Sequence, residues 1–390
     1  MLHALEGSQA IAQAVALCRP AVVAAYPITP QTHIVENISK LVADGKLKCE
    51  FGSVESEFSA ASVVLGSAAT GARSYTASSS QGILLMAEVL FDIAGMRLPM
   101  VLTCANRAIS APINIWNDHQ DAMTVRDSGW IQLYCADNQE AIDTTIQAFR
   151  ISERTELPVM VCVDGFVLTH TLEVVDMPNA EQVDSYLPPF TFKNKLDPKH
   201  PLSLGTLVGP EYYTEARYSL HRALEKALPE IESADADWAK ICGRASGGLL
   251  TVDGPESASV GVLAMGSVVS TLTEANEILP GKKRVKLMKL RAFRPFPAEA
   301  LRQACAGLKE LIVLERAFSP GCGGILGTEV RAALAGMAKP PAVRNFAVGL
   351  GGRDIPLGTL SKLLDAAKAQ GNEGFSILDV EPERLPPEDR

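Results

Sequence analysis

The chain has 390 residues, of which 47% are apolar, so the sequence predicts two or three domains with large buried cores. Its formal net charge of −9 argues against nucleic acid and anionic membrane surfaces as partners. No apolar run is long enough to span a bilayer, and the first seven residues lack the basic and apolar regions of a signal peptide. A cytoplasmic protein is therefore expected.

The eight cysteines are scattered through apolar segments, and none forms a C-x-x-C pair. Iron–sulfur clusters and structural zinc sites need thiolates at short spacings. We therefore expect no cluster and no metal site on this chain. Most of the cysteines are expected to be small buried apolar residues, with Cys322, which lies among glycines, as the one candidate for an exposed thiol.

Helix and strand signals alternate up to residue 168, and this order predicts a doubly wound parallel α/β sheet. The predicted strands, which are short apolar runs, are residues 21–25, 50–54, 73–77, 99–104 and 158–163. The predicted helices are residues 9–18, 31–44, 56–69, 83–96 and 139–155.

The alternation breaks after residue 168. Residues 170–210 are rich in proline and polar side chains, which predicts an extended arm, and a polar helix is predicted over residues 211–228. A second α/β unit begins near residue 259. We place the domain boundary at residue 256, so the predicted domains are residues 1–256 and 257–390.

Residues 26–32, Tyr-Pro-Ile-Thr-Pro-Gln-Thr, follow the first predicted strand of the sheet. The two prolines restrict the backbone and hold Ile28 and Thr29 extended at the strand end. Ligands bind at strand ends in open α/β sheets, so this segment is a candidate for a binding loop. The alternative is a simple turn into a helix that is capped by Thr29 or Thr32.

Several self-contained catalytic motifs are absent from the sequence, among them the P-loop, H-E-x-x-H and G-x-S-x-G. Residues 321–327 come close to a dinucleotide fingerprint, but the third glycine is one residue late and the segment lies far from the first strand. We interpret it as a tight loop. The chain therefore either binds a ligand for which it has no clear sequence motif or forms a site together with another chain.

Further segments carry a family resemblance. They are residues 54–61, 76–82, 105–108, 112–121, 164–166, 289–296 and 349–354. Together with residues 26–32 they resemble the α subunit of a 2-oxoacid:ferredoxin oxidoreductase of the pyruvate synthase type. The resemblance covers essentially the whole chain. It implies a thiamine-diphosphate-binding, pyrimidine-side domain followed by a smaller domain like the C-terminal domain of transketolase.

The resemblance assigns Glu57, in Ser-Glu-Phe-Ser-Ala-Ala, to the coenzyme. Thiamine diphosphate enzymes need a carboxyl group against N1′ of the aminopyrimidine to promote loss of the thiazolium C2 proton, and the family motif falls on Glu57. Glu55 is then the outer glutamate. From residue chemistry alone, either glutamate could instead be a solvated residue in the first turn of a helix.

Arg107 and Thr29 match the family positions that bind the substrate carboxylate. A guanidinium after a buried strand can grip a carboxylate with two hydrogen bonds, and the threonine would donate a hydroxyl. The alternative is an exposed Arg107 that pairs with Asp118 or Asp121.

The segment from Ser80 to Gly82 gives a weaker signal. Ser80 and Gln81 are candidates for shaping the coenzyme pocket, but a role as a helix N-cap explains Ser80 equally well. The polar loop that contains Asn114, Asn117, Asp118 and His119 is interpreted as turn residues, with His119 as a satisfied loop histidine.

The sequence lacks both Gly-Asp-Gly and Asn-Asn, with which related proteins hold the diphosphate and its metal. The resemblance therefore implies a β subunit that binds the diphosphate, Mg²⁺ and a 4Fe–4S cluster. Further γ and ferredoxin-like δ subunits are expected, with iron–sulfur clusters only in these partners. Coenzyme A would be the acyl acceptor.

The implied activity is oxidative decarboxylation of a 2-oxoacid, with pyruvate as the leading substrate, to acyl-CoA and CO2. Electrons would pass to ferredoxin. Branched-chain 2-oxoacids, aryl 2-oxoacids such as phenylglyoxylate and 2-oxoglutarate are alternative substrates, and NAD is an alternative acceptor. A non-catalytic scaffold subunit is the alternative of another class. The missing diphosphate motif argues against a self-sufficient enzyme of the transketolase type.

Overall fold

The computed structural model describes residues 2–369 and 374–390. The strands are β1 Leu2–Glu6, β2 Val22–Ala25, β3 Glu50–Ser53, β4 Ser74–Ser78, β5 Val101–Asn106, β6 Ile131–Tyr134, β7 Val159–Asp164, β8 Leu172–Asp176, β9 Leu250–Asp253, β10 Val260–Ala264, β11 Lys286–Leu290, β12 Ala292–Arg294, β13 Glu310–Glu315, β14 Ala342–Ala347 and β15 Ser376–Ile377.

The helices alternate with these strands over most of the chain. They are α1 Gly7–Leu17, α2 Thr32–Ala43, α3 Glu57–Ala69, α4 Ser80–Leu85, α5 Ala87–Gly95, α6 Gln120–Thr124, α7 Asn138–Thr155, α8 Ala180–Tyr186, α9 Pro210–Cys242, α10 Val268–Ile278, α11 Ala298–Ala304, α12 Ile325–Leu334 and α13 Thr359–Ala369. Among the residues described, none of these helices combines the length and the apolar character needed to cross a bilayer.

The larger sheet has seven strands in the order β12-β6-β7-β5-β4-β2-β3, and only β12 runs antiparallel to its neighbour. Strands β5 and β7 are buried along their whole length, which accounts for their continuous apolar sequence. The chain runs from β2 outward to β3 and then returns to β4 on the other side of β2. The direction of winding therefore reverses between β2 and β4, and a ligand crevice is expected there.

The second sheet has the order β15-β14-β13-β10-β11-β9, with β9 antiparallel and the other strands parallel. Two strands are exchanged across the predicted boundary at residue 256. Strand β9 precedes that residue and pairs in the second sheet, whereas β12 follows it and pairs in the first. The predicted division of the chain stays a prediction.

The segment predicted to be an extended arm contains regular structure in its first half. Strand β8 pairs antiparallel with β1, and α8 begins with a capping box between Asn179 and Gln182. Residues 187–209 are irregular apart from an isolated bridge. Strand β8 was not predicted, because its partner β1 lies 166 to 174 residues earlier in the chain.

Helix α9 is longer than predicted, because Pro229 does not end it. The helix continues to Cys242 and ends at Gly243, whose φ of 79° is the left-handed conformation typical of a residue after a helix. Beyond Pro229 the helix buries Ile231, Ala234 and Trp238 in the core of the first unit. This apolar burial offsets the backbone hydrogen bond that the proline removes.

Candidate active site at the carboxyl edge of the first sheet

Four of the predicted site residues follow four neighbouring strands of the first sheet. Thr29 follows β2, Glu57 follows β3, Ser80 follows β4 and Arg107 follows β5. Because these strands are parallel, all four residues lie at the same edge of the sheet. They surround the reversal point between β2 and β4, where open α/β sheets bind ligands.

The loop that carries Thr29 is held from two sides. The buried Gln31 side chain donates from Nε2 to the carbonyl oxygen of Ala77 at 2.9 Å and accepts from the Ile28 N–H at 3.2 Å. Gly165 packs against Pro30 so closely that a Cβ atom there would lie 2.6 Å from Pro30 Cγ. The residue that precedes α2 is Gln31, and no side chain caps this helix. The capping alternative for Thr29 and Thr32 is therefore wrong.

The Arg107 side chain is buried and spans the gap to this loop. Its Nη1 atom donates to the carbonyl oxygen of Thr29 at 2.9 Å, and Nε donates to that of Asn114 at 3.0 Å. No residue within 2–369 or 374–390 bonds to Nη2. The alternative in which Arg107 is exposed and pairs with a neighbouring aspartate is wrong, because its guanidinium bonds to main-chain carbonyl groups.

Asp121 has a role that the sequence did not indicate. Its carboxylate is fully buried and accepts hydrogen bonds from the main-chain N–H of Ser80 and of Arg107, both at 2.9 Å, and from Asn106 Nδ2 at 2.8 Å. It therefore joins the loops that follow β4 and β5. Burial raises the pKa of this carboxyl group, and the hydrogen bonds offset part of that shift.

Glu57 is the first residue of α3 and is only 7% exposed. The helix is capped by Ser56, whose Oγ accepts from the Ser59 N–H at 3.1 Å. In the part of the chain that the structure describes, no hydrogen bond or ion pair reaches the Glu57 carboxylate. Glu55, in contrast, is exposed and accepts a hydrogen bond from Ser59 Oγ at 2.5 Å. The solvated alternative therefore applies to Glu55 and not to Glu57.

The Glu57 side chain packs against the turn between β4 and α4. A Cβ atom on Gly82 would lie 2.8 Å from Glu57 Oε1 and 2.3 Å from Ser78 Oγ. That Ser78 hydroxyl is buried and has no hydrogen-bond partner among the described residues. The structure therefore places a buried carboxyl group and an unpaired hydroxyl together at the sheet edge.

Ser80 is not a helix N-cap. The cap position belongs to Ser79, whose hydroxyl donates to the carbonyl oxygen of Ala105 at 2.6 Å. Ser80 itself is the first residue of α4, with a φ of 47°. Its Oγ atom lies 2.5 Å from the carbonyl oxygen of Ala108 and 2.6 Å from Gln81 Oε1. Ser80 thus joins the β4–α4 turn to the segment that follows Arg107.

Comparisons with known proteins cover nearly the whole chain. Residues 13–235 match the family described as pyruvate flavodoxin/ferredoxin oxidoreductase, thiamine diphosphate-binding. The chain belongs to this oxidoreductase family. Residues 258–360 match the pyruvate:ferredoxin oxidoreductase core domain II. The resemblance and the enzyme class that the sequence predicted are confirmed.

Full-length relatives of this oxidoreductase chain include two pyruvate synthase subunits PorA. The protein from Methanosarcina barkeri is 44% identical over 390 residues, which cover 98% of this chain and 97% of that protein. The protein from Methanothermobacter thermautotrophicus is 47% identical over 358 residues, or 91% and 92% of the two chains. The ketoisovalerate oxidoreductase subunit VorA of Pyrococcus abyssi is 40% identical over 379 residues, or 97% and 96%.

A solved structure supports the fold of the oxidoreductase chain. The 2-oxoglutarate:ferredoxin oxidoreductase of Magnetococcus marinus, with 2-oxoglutarate, coenzyme A and succinyl-CoA bound, superposes with a TM-score of 0.72 at 20% identity. The match covers 95% of this chain, which spans 65% of the length of that one. The predicted fold class is confirmed.

The second unit of the oxidoreductase chain packs directly on the loop beyond Arg107. Asn114 Nδ2 donates to the carbonyl oxygen of Gly351 at 3.0 Å, and the Gly352 N–H donates to that of Asn117 at 2.6 Å. Asp118 accepts from the Gly351 N–H at 3.3 Å. Burial raises the pKa of Asp118 to about 6. The polar loop is therefore an interface between the two units as well as a turn.

A cluster of buried polar side chains also joins the same two units. Asp164 lies 2.7 Å from His119 Nε2, accepts from Arg316 Nη1 at 3.1 Å and accepts two hydrogen bonds from Ser267. Burial alone would raise the pKa of Asp164, but His119, Arg316 and Ser267 hold it well below its usual range. His119 is thus a partner of a buried carboxylate, which the loop interpretation did not include.

Proposed function

We propose that this chain is the α subunit of a thiamine-diphosphate-dependent complex that oxidatively decarboxylates pyruvate to an acyl-CoA and CO2, with electrons passed to ferredoxin. The observation that carries the proposal is the buried carboxylate of Glu57, which has no partner among the described residues and lies at the same sheet edge as Arg107 and Thr29. The pyruvate synthase relatives support pyruvate as the substrate.

The residues around Glu57 suit the pyrimidine end of the coenzyme. Glu57 is only 7% exposed, and its carboxyl group has no hydrogen-bond or ion-pair partner in residues 2–369 and 374–390, so it is free to bond to a ligand. Because residue 82 is a glycine, the Glu57 carboxyl group and the unpaired Ser78 hydroxyl can both pack closely against the β4–α4 turn. Glu57 would share a proton with the ring nitrogen through a carboxyl oxygen, and Ser80 and Gln81 would shape the adjoining wall. When bound, thiamine diphosphate supplies the carbon nucleophile that attacks the keto group.

Arg107 and Thr29 would bind the carboxylate of the 2-oxoacid. Nε and one N–H of Nη1 bond to carbonyl groups, so the guanidinium retains its second Nη1 hydrogen and both Nη2 hydrogens. One hydrogen from each Nη atom can grip a carboxylate in a two-pronged contact. The Thr29 hydroxyl would add a third donor. Fixed contacts of this kind align the keto carbon with the nucleophile.

A branched-chain 2-oxoacid is the second candidate substrate. It is supported by the 40% identity with a ketoisovalerate oxidoreductase subunit. Arg107 and Thr29 would contact only the carboxylate that all 2-oxoacids share, so they do not distinguish the two substrates.

We infer the partner subunits from the diphosphate-binding motifs that the sequence lacks. Because Gly-Asp-Gly and Asn-Asn are missing, we assign the diphosphate, Mg²⁺ and a 4Fe–4S cluster to a β subunit. The γ and ferredoxin-like δ subunits would complete the complex, and coenzyme A would accept the acyl group. The subunit names of the relatives are consistent with a hetero-oligomer.

The deciding experiment is Glu57→Gln in the assembled complex, assayed with pyruvate and 2-oxoisovalerate, coenzyme A and a viologen dye. We expect loss of turnover with both acids while the subunits still copurify, because glutamine cannot give up a proton. Glu55→Gln, on the exposed neighbour, is the matched control and should keep full activity. Near-normal turnover of Glu57→Gln would refute the role of Glu57 and favour a scaffold subunit.

A further inference from the structure

Three side chains that the proposed reaction does not use converge beside the Thr29 loop. Glu6 ends β1, His33 lies in the first turn of α2, and His170 follows β7 by six residues. One potential ligand atom from each residue lies within 4.8 Å of the other two, and all three side chains are half-buried. The scattered cysteines led to the expectation of no metal site, and Glu6, His33 and His170 lie too far apart in the chain to form a short ligand spacing.

Neighbouring groups hold the three side chains in place. Glu6 Oε1 lies 2.7 Å from His33 Nδ1, and the His33 and His170 rings lie 4.6 Å apart between centroids with a tilt of 34°. The Nδ1 atom of His170 lies 2.7 Å from Thr169 Oγ1, which leaves Nε2 as its available nitrogen. The Phe166 ring, 4.7 Å away, packs against His170. A hydrogen bond to the ring nitrogen that does not bind the metal fixes the orientation of a ligating histidine.

Two imidazoles and a carboxylate form a donor set that suits Zn²⁺ and similar divalent transition metals, whereas Mg²⁺ and Ca²⁺ prefer oxygen alone. An imidazole binds a metal ion through its neutral form, so the binding of the cation competes with protons.

We propose that Glu6, His33 and His170 form a binding site for one zinc-like divalent cation. Donor atoms in a tetrahedral zinc site lie about 3.3 Å apart, so the Glu6–His33 pair opens slightly on binding and the more distant pair closes. Half-exposed side chains allow such movements, and solvent can supply a fourth ligand.

A cation bound at this site would affect the Thr29 loop, because the three ligands lie beside it. His33 lies two residues beyond Gln31, which holds the Thr29 loop, and His170 packs on Phe166, the neighbour of Gly165. Gly165 in turn contacts Pro30. A bound cation would therefore link β1, α2 and the turn after β7 around this loop, and it would stabilise the folded chain.

The test uses the full-length chain, freed of metal and titrated with Zn²⁺ and with Co²⁺ by calorimetry and absorption spectroscopy. We expect one equivalent to bind, a rise in Tm, and a Co²⁺ spectrum without a thiolate charge-transfer band. His33→Ala and His170→Ala should each weaken binding by at least about tenfold, and the conservative variant Glu6→Gln should also weaken it. Circular dichroism of the metal-free variants checks that they remain folded.

Two matched controls separate this site from other metal ligands. His221→Ala removes an exposed histidine on α9, and Cys322→Ser removes an exposed thiol, so neither should change the affinity. The proposal is overturned if no Zn²⁺ binds, if His33→Ala and His170→Ala bind as tightly as the parent chain, or if Cys322→Ser abolishes binding. None of these outcomes depends on the enzymatic activity.

Discussion

Arg107 Nη1 donates a hydrogen bond of 2.9 Å to the carbonyl oxygen of Thr29, so the loops after β5 and β2 are joined by the side chain that we assign to the substrate. The two residues follow strands that are separated only by β4. Their link crosses the point at which the winding of the sheet reverses. The two proposed carboxylate contacts are therefore fixed relative to each other before any substrate binds.

Replacement of Arg107 tests this arrangement. We expect Arg107→Ala to raise the KM for the 2-oxoacid and to reduce kcat/KM by roughly tenfold to a hundredfold, because hydrogen bonds to a charged group contribute about 1.5–3 kcal/mol. Arg107→Lys should recover only part of this loss, since an ammonium group cannot form a two-pronged contact. Steady-state kinetics of the assembled complex measure both effects. An unchanged KM in Arg107→Ala would dismiss the carboxylate role.

Asp121→Asn tests whether the buried carboxylate positions Arg107 and Ser80. An asparagine keeps one acceptor oxygen and turns an NH2 group toward main-chain N–H donors, so we expect a loss of about 1–3 kcal/mol in the free energy of unfolding. The KM for the 2-oxoacid should rise as it does in Arg107→Ala, because the loop that carries the arginine is released. Urea unfolding and kinetics measure the two effects. Asp127→Asn, on an exposed side chain, is the control, and a KM equal to that of the parent enzyme would argue against a positioning role.

The sequence predicted five of the seven strands of the first sheet, and the helices between them, because that information is local. Alternating apolar runs and helical segments identify the strands, and a parallel sheet brings all of their carboxyl ends to one edge. Arg107 could therefore be placed at that edge from its position after β5 alone, whereas Glu57 was assigned through the family resemblance.

Long-range contacts could not be predicted in the same way. The role of Asp121 depends on hydrogen bonds to loops 14 and 41 residues away, and Asp164 meets Arg316 across 152 residues. Nothing in the local pattern indicates which donors such a carboxylate will find. The return of β12 to the first sheet is non-local in the same sense, because its partner β6 lies on the far side of the predicted boundary.

The raised pKa of Asp118 predicts a specific pH dependence of the stability of the folded chain. Burial raises its pKa to about 6 in the folded chain, whereas an unfolded aspartate has a pKa of about 3.9. Between these values the folded state binds a proton that the unfolded state does not bind. The stabilisation is therefore complete below about pH 4 and is lost as the pH rises through about 6.

Urea unfolding of the full chain and of Asp118→Asn measures this effect. Across that pH interval the parent chain should lose up to about 3 kcal/mol of stability relative to the variant, which follows from a pKa difference of about two units. Asp127→Asn should show no such trend because its side chain is exposed. A constant difference between Asp118→Asn and the parent chain would contradict the prediction.

Gly82→Ala tests the packing of Glu57 without a change of its chemistry. The new methyl group would lie 2.8 Å from Glu57 Oε1 and 2.3 Å from Ser78 Oγ, which is closer than a real contact allows, so the carboxyl group must move. Gly82 is not among the glycines with positive φ, so the substitution adds no backbone strain. Since a misplacement of about 1 Å can cost about 100-fold in rate, we expect a fall of this order in kcat.

The KM for the 2-oxoacid should stay the same in Gly82→Ala, because Arg107 and Thr29 do not contact this glycine. Gly66→Ala is the matched control, because Gly66 lies within α3 and no atom lies within 4 Å of an added Cβ. This variant should be more stable than the parent chain by roughly 0.5–1 kcal/mol, since alanine is favoured over glycine inside a helix. Full activity in Gly82→Ala would mean that the orientation of Glu57 is not critical, and the contact that connects this carboxylate to the β4–α4 turn would then have only a structural role.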